Sequence, residues 1–265
     1  MKVSGKIAVV TGGGRGIGRA VVLTLAREGA DIAIFYRADT EAAESAAEEV
    51  RAMGRKALAI KCDVSRSADV NQAMQEVLDK FGVVDILVNN AAIAITELFT
   101  DTNEENWDKT IDTNLKGQFL CTRSIVRHMI GRRQGKIINF SSIQALVSNP
   151  YYVAYAASKG GVLAFTRALA TELAGYNINV NAVVPGITAT PMNVEIAKKD
   201  PTLIQGKIDR LPLRRQNQPE DVANVVLFLA SEDSRQMVGQ YIVVDAGTTA
   251  LHSGYQWPTD WPPEV

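Results

Sequence analysis

The chain has 265 residues, 46% of them hydrophobic and 22% charged, enough for a sizeable core and short for two domains. Its 28 Lys and Arg nearly balance 29 Asp and Glu, for a net charge of −1, so neither a nucleic-acid-binding stripe nor an acidic solvating tail is expected. Cys62 and Cys121 stand far apart without metal-ligand neighbours, which argues for two buried thiols in a reducing compartment rather than a disulfide or a metal site.

The first apolar run, Ile7-Ala8-Val9-Val10, stops at Thr11-Gly12-Gly13-Gly14-Arg15, too short for a secretory core or a membrane span, so a cytoplasmic protein is expected. Strands are predicted at Ile7–Thr11, Asp31–Tyr36, Lys56–Lys61, Asp85–Asn89, Lys136–Ser141, Ile178–Val184 and Tyr241–Asp245. Helical patterns lie between them at Gly16–Glu28, Thr40–Met53, Ser67–Phe81, one long run from Glu104 to Gly131, Tyr152–Ala174 and Pro219–Ser231. Near-continuous apolar strands alternating with helices predict an α/β protein: a doubly wound Rossmann fold with a seven-stranded parallel sheet and helices on both faces. No repeat or linker interrupts residues 1–265, so one domain is expected. Asn193–Gln218, rich in Lys and Arg, is a candidate substrate lid. The tail from Leu251 to Val265, with Trp257 and Trp261, is apolar enough to predict packing against a neighbouring subunit.

Thr11–Gly18 sits between the first strand and the first helix. Gly12 permits a tight turn, Gly16 lets backbone approach a pyrophosphate, and Gly18 lets helix and strand pack closely, with Ile17 opening the helix between them. The second strand ends at Arg37 where an acid would suit NAD. A guanidinium there, joined by Arg15, suits a 2′-phosphate, which favours NADP and leaves NAD open; alternatively Arg37 caps a solvated loop or pairs with Asp39. Asp63-Val64 ends the third strand where adenine would lie, although Asp63 is equally placed to cap a helix before Ser65.

Tyr155-Ala156-Ala157-Ser158-Lys159 places a phenol and an ammonium one helical turn apart. A free phenol, with a pKa of about 10, exchanges protons slowly at neutral pH. A cation near 4 Å contributes about 4 kcal/mol at an effective dielectric of ~20, which predicts a fall of roughly two to three pH units in that value.

With these residues assembled, the chain resembles the short-chain dehydrogenase/reductase family over nearly its whole length. The marks are Thr11–Gly18, Asp63-Val64, Asn89-Asn90-Ala91, Asn114, Ser141-Ser142, Tyr155–Lys159 and Pro185-Gly186 with Thr188 and Thr190. The resemblance implies that Tyr155 is the acid/base, that Ser142 holds the same substrate oxygen, and that Lys159 lowers the phenol's pKa and holds the nicotinamide ribose. Asn114 would bind a water leading protons to solvent, Asn90 and Ala91 would line the nucleotide cleft, and Pro185, Gly186, Thr188 and Thr190 would close over the nicotinamide. Singly, Ser142 is also a plausible turn cap, and Asn114 a partner for kinked helix backbone. Two glycines usual in the family are replaced, by Ala92 and Ala246. A homotetramer is implied, with the stripe Val162, Phe165, Leu169 and Leu173 either at an interface or in the core.

The substrate is expected to be a small alcohol or carbonyl compound. Gln144, Asn149, Tyr152 and Asn193 suit a sugar or polyol, whereas Ile93, Ile95, Leu146 and Val147 suit an apolar ketone. The pattern most resembles the glucose-dehydrogenase branch. The runner-up is a 3-oxoacyl-carrier-protein reductase, for which Arg132-Arg133 would supply basic residues at the entrance. A non-catalytic NADP-binding sensor is the alternative of another class.

Overall fold

Seven strands, β1 (Ile7–Thr11), β2 (Asp31–Tyr36), β3 (Ala57–Lys61), β4 (Ile86–Asn89), β5 (Gly135–Phe140), β6 (Ile178–Pro185) and β7 (Tyr241–Val244), pair in parallel in the order β3-β2-β1-β4-β5-β6-β7. The computed structural model describes residues 1–190, 205–206 and 208–251. The strand order reverses between β1 and β4, and the carboxyl ends of the strands at such a reversal are the usual ligand position in sheets of this kind.

Successive residues of each strand face opposite ways, and each face has its own core. Ala8, Val10, Ile32, Ile34, Ile86, Val88 and Ile138 pack under α1 (Gly16–Arg27), α2 (Thr40–Ala52) and α7 (Pro219–Ala230). Val9, Ala33, Phe35, Leu87, Ile137 and Val180 pack under α3 (Ser67–Phe81), α5 (Gly117–Arg132) and α6 (Val153–Leu173). Pro219 opens α7 with a reciprocal cap, Gln218 against Asp221, as Pro-Glu-Asp predicts.

The expected long helix from Glu104 to Gly131 is two. α4 (Glu104–Ile111) runs into a π turn at Asp112–Lys116, where the Gly117 N–H reaches back five residues to Asp112 O, and α5 continues from there. A π turn inserts one residue into an otherwise continuous helix and often marks a functional site. Here it carries Asn114. In the stripe on α6, Val162 and Leu173 are buried and Leu169 packs on the second core, so most of it serves the sheet. Most of the candidate lid (193–204 and 207) and the tail beyond Leu251 lie outside the described residues.

The two replaced glycines differ in consequence. Ala92 is exposed and has no left-handed backbone, so its methyl meets solvent. Ala246 has φ +54°, followed by Gly247 at φ +87°. A side chain in the left-handed region costs roughly 1–2 kcal/mol, partly offset in a comparison with glycine by the greater chain entropy glycine loses. Ala246→Gly is therefore expected to stabilise the protein by about 0.5–1 kcal/mol, raising Tm by about 2 °C in a thermal melt.

Candidate active site

The end of β4 clamps the glycine loop. Asn90 Nδ2 donates to Thr11 O at 2.8 Å and to Gly12 O at 3.2 Å, and the Ala91 N–H donates to Thr11 Oγ1 at 2.9 Å. Gly12 (φ +67°) donates its N–H to Phe35 O at 2.7 Å, and Gly16 is also left-handed (φ +55°). A Cβ on Gly18 would collide with Gly12 O and press on Asn90 Nδ2, so the first turn of α1 can close on the loop only with glycine there. Ile17 packs against the first core, and exposed Arg15 precedes α1. The N-terminus of a 12-residue helix thus faces the crevice beside the free backbone of the loop, which suits a pyrophosphate.

Past β2, Asp39 Oδ1 accepts the Ala42 N–H at 3.0 Å and caps α2, so it is committed to the helix and not to Arg37. Exposed Arg37 joins no ion pair among the described residues, and with Lys61, Asp63 and Arg66 it borders an open cleft between β3 and α3. Asp63 Oδ1 accepts from Ser65 N (3.0 Å) and Ser65 Oγ (2.7 Å), which closes a turn ahead of α3 rather than capping it, since the N-cap Arg66 has no side-chain cap. The Val64 side chain is buried against Gly117, where a Cβ would come within 2.9 Å of Val64 Cγ2.

At the carboxyl ends of β5 and β6 the second group assembles. Lys159 is 1% exposed; its Nζ donates to Phe140 O at 2.8 Å and lies 5.6 Å from the centre of the Tyr155 ring. Of the two adjacent serines, Ser141 Oγ donates to Lys159 O at 2.8 Å, whereas the Ser142 hydroxyl lies near enough to the Tyr155 phenol to oppose the rise in its pKa. The side chain of Asn114 is fully committed. Its Oδ1 accepts from Ile93 N (2.8 Å), and its Nδ2 donates to Ile93 O (2.9 Å) and Ser158 Oγ (3.1 Å). Ser158 Oγ in turn donates to Tyr155 O at 2.7 Å. The π turn therefore positions the helix bearing Tyr155, and any water at Asn114 must use the backbone carbonyl.

Across the crevice, the Gly186 N–H donates to Val244 O at 2.8 Å, and a Cβ there would strike Asp245 Cα at 2.7 Å, fixing the turn after Pro185 against β7. Thr188 Oγ1 donates to Gly186 O at 3.0 Å, while buried Thr190 Oγ1 has no hydrogen-bond partner among the described residues. An orphaned hydroxyl at this end and a glycine cradle at the other fit a dinucleotide with a polar carboxamide. The side-chain oxygen of Gln144 accepts from Asn149 N (3.1 Å) and Ser148 Oγ (3.3 Å), leaving only its amide nitrogen for a substrate. Tyr152 packs edge-on against Tyr155, ring centres 6.0 Å apart.

The electrostatics differ from the expected arithmetic. Burial pushes the Tyr155 phenol above its ordinary value, the Ser142 hydrogen bond opposes this, and Lys159 does not contribute. Burial instead pulls Lys159 down to about 7, so at neutral pH the ammonium is itself partly discharged. The expected lowering of the phenol by Lys159 is not found, because the low-dielectric site penalises both charged forms. Buried Cys62, pushed up to about 12 by burial, and buried Cys121, raised further, are uncharged thiols without nucleophilic character.

Sequence reading missed Ser158, Gln118 and a buried polar ladder beneath the site. In that ladder Asn89 Nδ2 donates to Asn139 Oδ1 (2.9 Å) and Thr122 Oγ1 (3.2 Å), and Asn139 Nδ2 donates to Thr166 Oγ1 (3.0 Å). Asparagines inside otherwise apolar strands were the available signal.

Known proteins resemble this chain over nearly its whole length. A family profile described as enoyl-(acyl carrier protein) reductase matches residues 12–249. The 3-oxoacyl-(acyl-carrier-protein) reductase FabG of Staphylococcus epidermidis is 40% identical over 242 residues, 91% of this chain and 98% of its own length. That of Thermotoga maritima is 40% identical over 247 residues, 93% and 99% of the two chains. The crystal structure of a putative gluconate dehydrogenase from Agrobacterium tumefaciens superposes with a TM-score of 0.90 at 34% identity, covering 95% of this chain and 98% of that one.

Lys159 titrates in the folded protein below its ordinary 10.5, so the unfolded chain binds more protons between about 7 and 10.5. Stability therefore rises with pH through that window, and the cost of burying the amine is complete below about 7. Lys159→Met is expected to melt higher than the cofactor-free wild type at pH 7, with the difference narrowing towards pH 10, as thermal melts across that range would show.

Proposed function

Because this chain belongs to the short-chain dehydrogenase/reductase family, and is an NAD(P)-dependent oxidoreductase acting on CH–OH and ketone groups, we propose that it reduces 3-oxoacyl thioesters with NADPH. The carrying observation is the apolar rim of the site, where Leu146, Val147 and Tyr151 are exposed, Tyr151 O accepts the Glu97 N–H, and Leu98 and Phe99 stand exposed just beyond. Such a rim suits an acyl chain better than a polyol. Support also comes from the two carrier-protein reductases, alike over nearly their whole length. A sugar or polyol substrate has less behind it, since Gln144 spends its acceptor on its own loop. The thioester would be carried by an acyl carrier protein, but Arg132 and Arg133 do not flank this entrance. Arg132 binds Asp85 (2.7 Å) and Val84 O, and Arg133 donates to Gly175 O, both at the opposite ends of the strands.

Bound in the crevice, NADPH would supply the hydride. Arg15 and Arg37 would receive its 2′-phosphate, and Thr190 Oγ1 its carboxamide. The substrate carbonyl oxygen would lie between the Ser142 and Tyr155 hydroxyls, which polarise it by hydrogen bonding. As hydride reaches the carbonyl carbon, Tyr155 gives its proton to the oxygen, and the phenolate so formed is neutralised by a proton arriving through Lys159. Phe140 O and the Asn114–Ser158–Tyr155 chain hold these groups in register. Small-molecule turnover in a homotetramer completes the reading, exposed Phe119 of α5 supporting contact with a further copy. The two buried free thiols fit a cytoplasmic setting.

The reading is tested by following nicotinamide absorbance with 3-oxoacyl thioesters, sugars and polyols in parallel. A higher kcat/KM for the sugars would overturn it. Tyr155→Phe is expected to lower kcat by about 10³ or more while NADPH still quenches protein fluorescence with near wild-type affinity. Arg37→Asp is expected to raise KM for NADPH at least about ten-fold with little effect on NADH.

A further inference from the structure

Gln118 opens α5, one turn beyond Asn114, and is 2% exposed. Its Nε2 donates to Asn114 O at 3.0 Å, the carbonyl the π turn presents, and to Phe140 O at 3.1 Å. Phe140 O is also the acceptor of Lys159 Nζ, at 2.8 Å. Two buried nitrogens thus share one oxygen, which places them within a single water's reach of each other. Both groups are unevenly satisfied. Among the described residues the ammonium has three donors and one acceptor, while Gln118 Oε1 is buried without any donor. A buried amide oxygen left unpaired costs about 1–3 kcal/mol, so it is expected to find a donor in the working enzyme.

We propose that Gln118 is a positioning residue for Lys159: its nitrogen ties the Asn114 and Phe140 carbonyls together, and its oxygen supplies the second acceptor for the ammonium. The inference rests on the reading of Tyr155 and Lys159 as the proton-handling pair. Gln118 takes one lone pair of the Asn114 carbonyl and leaves the other, while the side chain of Asn114 holds α6. Sharing Phe140 O also weakens that oxygen's hold on the lysine, so Nζ can leave it for a ribose hydroxyl.

The surroundings of Lys159 make the test readable. On its own helix Tyr155 is the titratable group facing it; β5 and the residue after it offer the Phe140 carbonyl and Ser141, and the π turn and α5 offer Asn114 and Gln118. Among the described residues no charged group shifts Lys159, which responds to burial alone. Changing Gln118 should therefore be felt directly.

Wild type, Gln118→Met and Gln118→Glu would be compared with lysine side chains isotope-labelled, the Lys159 resonance being assigned by its loss in Lys159→Met. In the cofactor-free protein the Lys159 midpoint should fall in Gln118→Met, which loses the acceptor, and rise in Gln118→Glu, which adds a charge, by about one pH unit each way. With NADPH and substrate, kcat of Gln118→Met should drop at least about ten-fold, KM for NADPH should stay within about two-fold, and the alkaline limb of kcat should move with the resonance. Midpoints that stay put in both variants, or move the same way, would overturn the proposal. If Gln118→Met does not fold, Gln118→Glu decides alone, an unmoved midpoint being fatal. A wild type that turns over none of the thioesters would sink the substrate reading only, since the resonance needs no substrate.

Discussion

A lysine amine sealed at the end of a strand with a carbonyl for its partner is the constraint around which this site is organised. Among the described residues Lys159 has no counter-ion, so its charge is supported by the dipole of the Phe140 carbonyl and is expensive to keep. That cost is useful. A free lysine near 10.5 would hold its proton at neutral pH, whereas one near 7 can both take and release it. The phenol beside it is pushed the other way by the same burial, so the two groups, nearly equal in acidity when free, are driven apart and both favour their neutral forms. A bound dinucleotide, by bringing its own hydroxyls and charge into the crevice, would complete a balance that the protein alone leaves unfinished.

The rest of the structure serves to hold that pair still. The reversal of strand order between β1 and β4 opens the crevice, and Asn90 fastens the glycine loop across it. The π turn then does at side-chain level what helix geometry alone would not. By widening one turn it brings Asn114 against Ile93 and Ser158, so a loop after β4 and the helix carrying Tyr155 share one amide. Three separate elements are thereby indexed to one another through buried hydrogen bonds, which tolerate little displacement.

Much of the fold was readable because its signals are local. Ile-Ala-Val-Val before glycines and Ile-Ala-Ile-Phe before Arg37 are strands on any reading, and Pro-Glu-Asp starts a helix. Spacing singled out Asn114, Ser142, Tyr155 and Lys159, and the fold brings these four to one end of the sheet, with Ser141 turned to the Lys159 carbonyl. The π turn was not readable, because the helical periodicity runs through Asp112–Lys116 without a break and one inserted residue leaves no compositional trace. Gln118 was invisible for a similar reason, being a single amide in a helix with other polar residues, whose role depends on a carbonyl from a distant strand. The direction of the Tyr155 perturbation was misjudged because pairwise attraction was counted and the loss of solvent was not.

Beneath the site, Asn89 and Asn139 lie side by side on β4 and β5, joined to each other and to Thr122 of α5 and Thr166 of α6. A slip of β4 against β5 by one position would turn these amides into the opposite, greasy layer with nothing to bond. The ladder therefore works as a keel, making alignment of the central strands all-or-none, so the loops above are free to diversify towards new cargo without dragging the reactive groups off station.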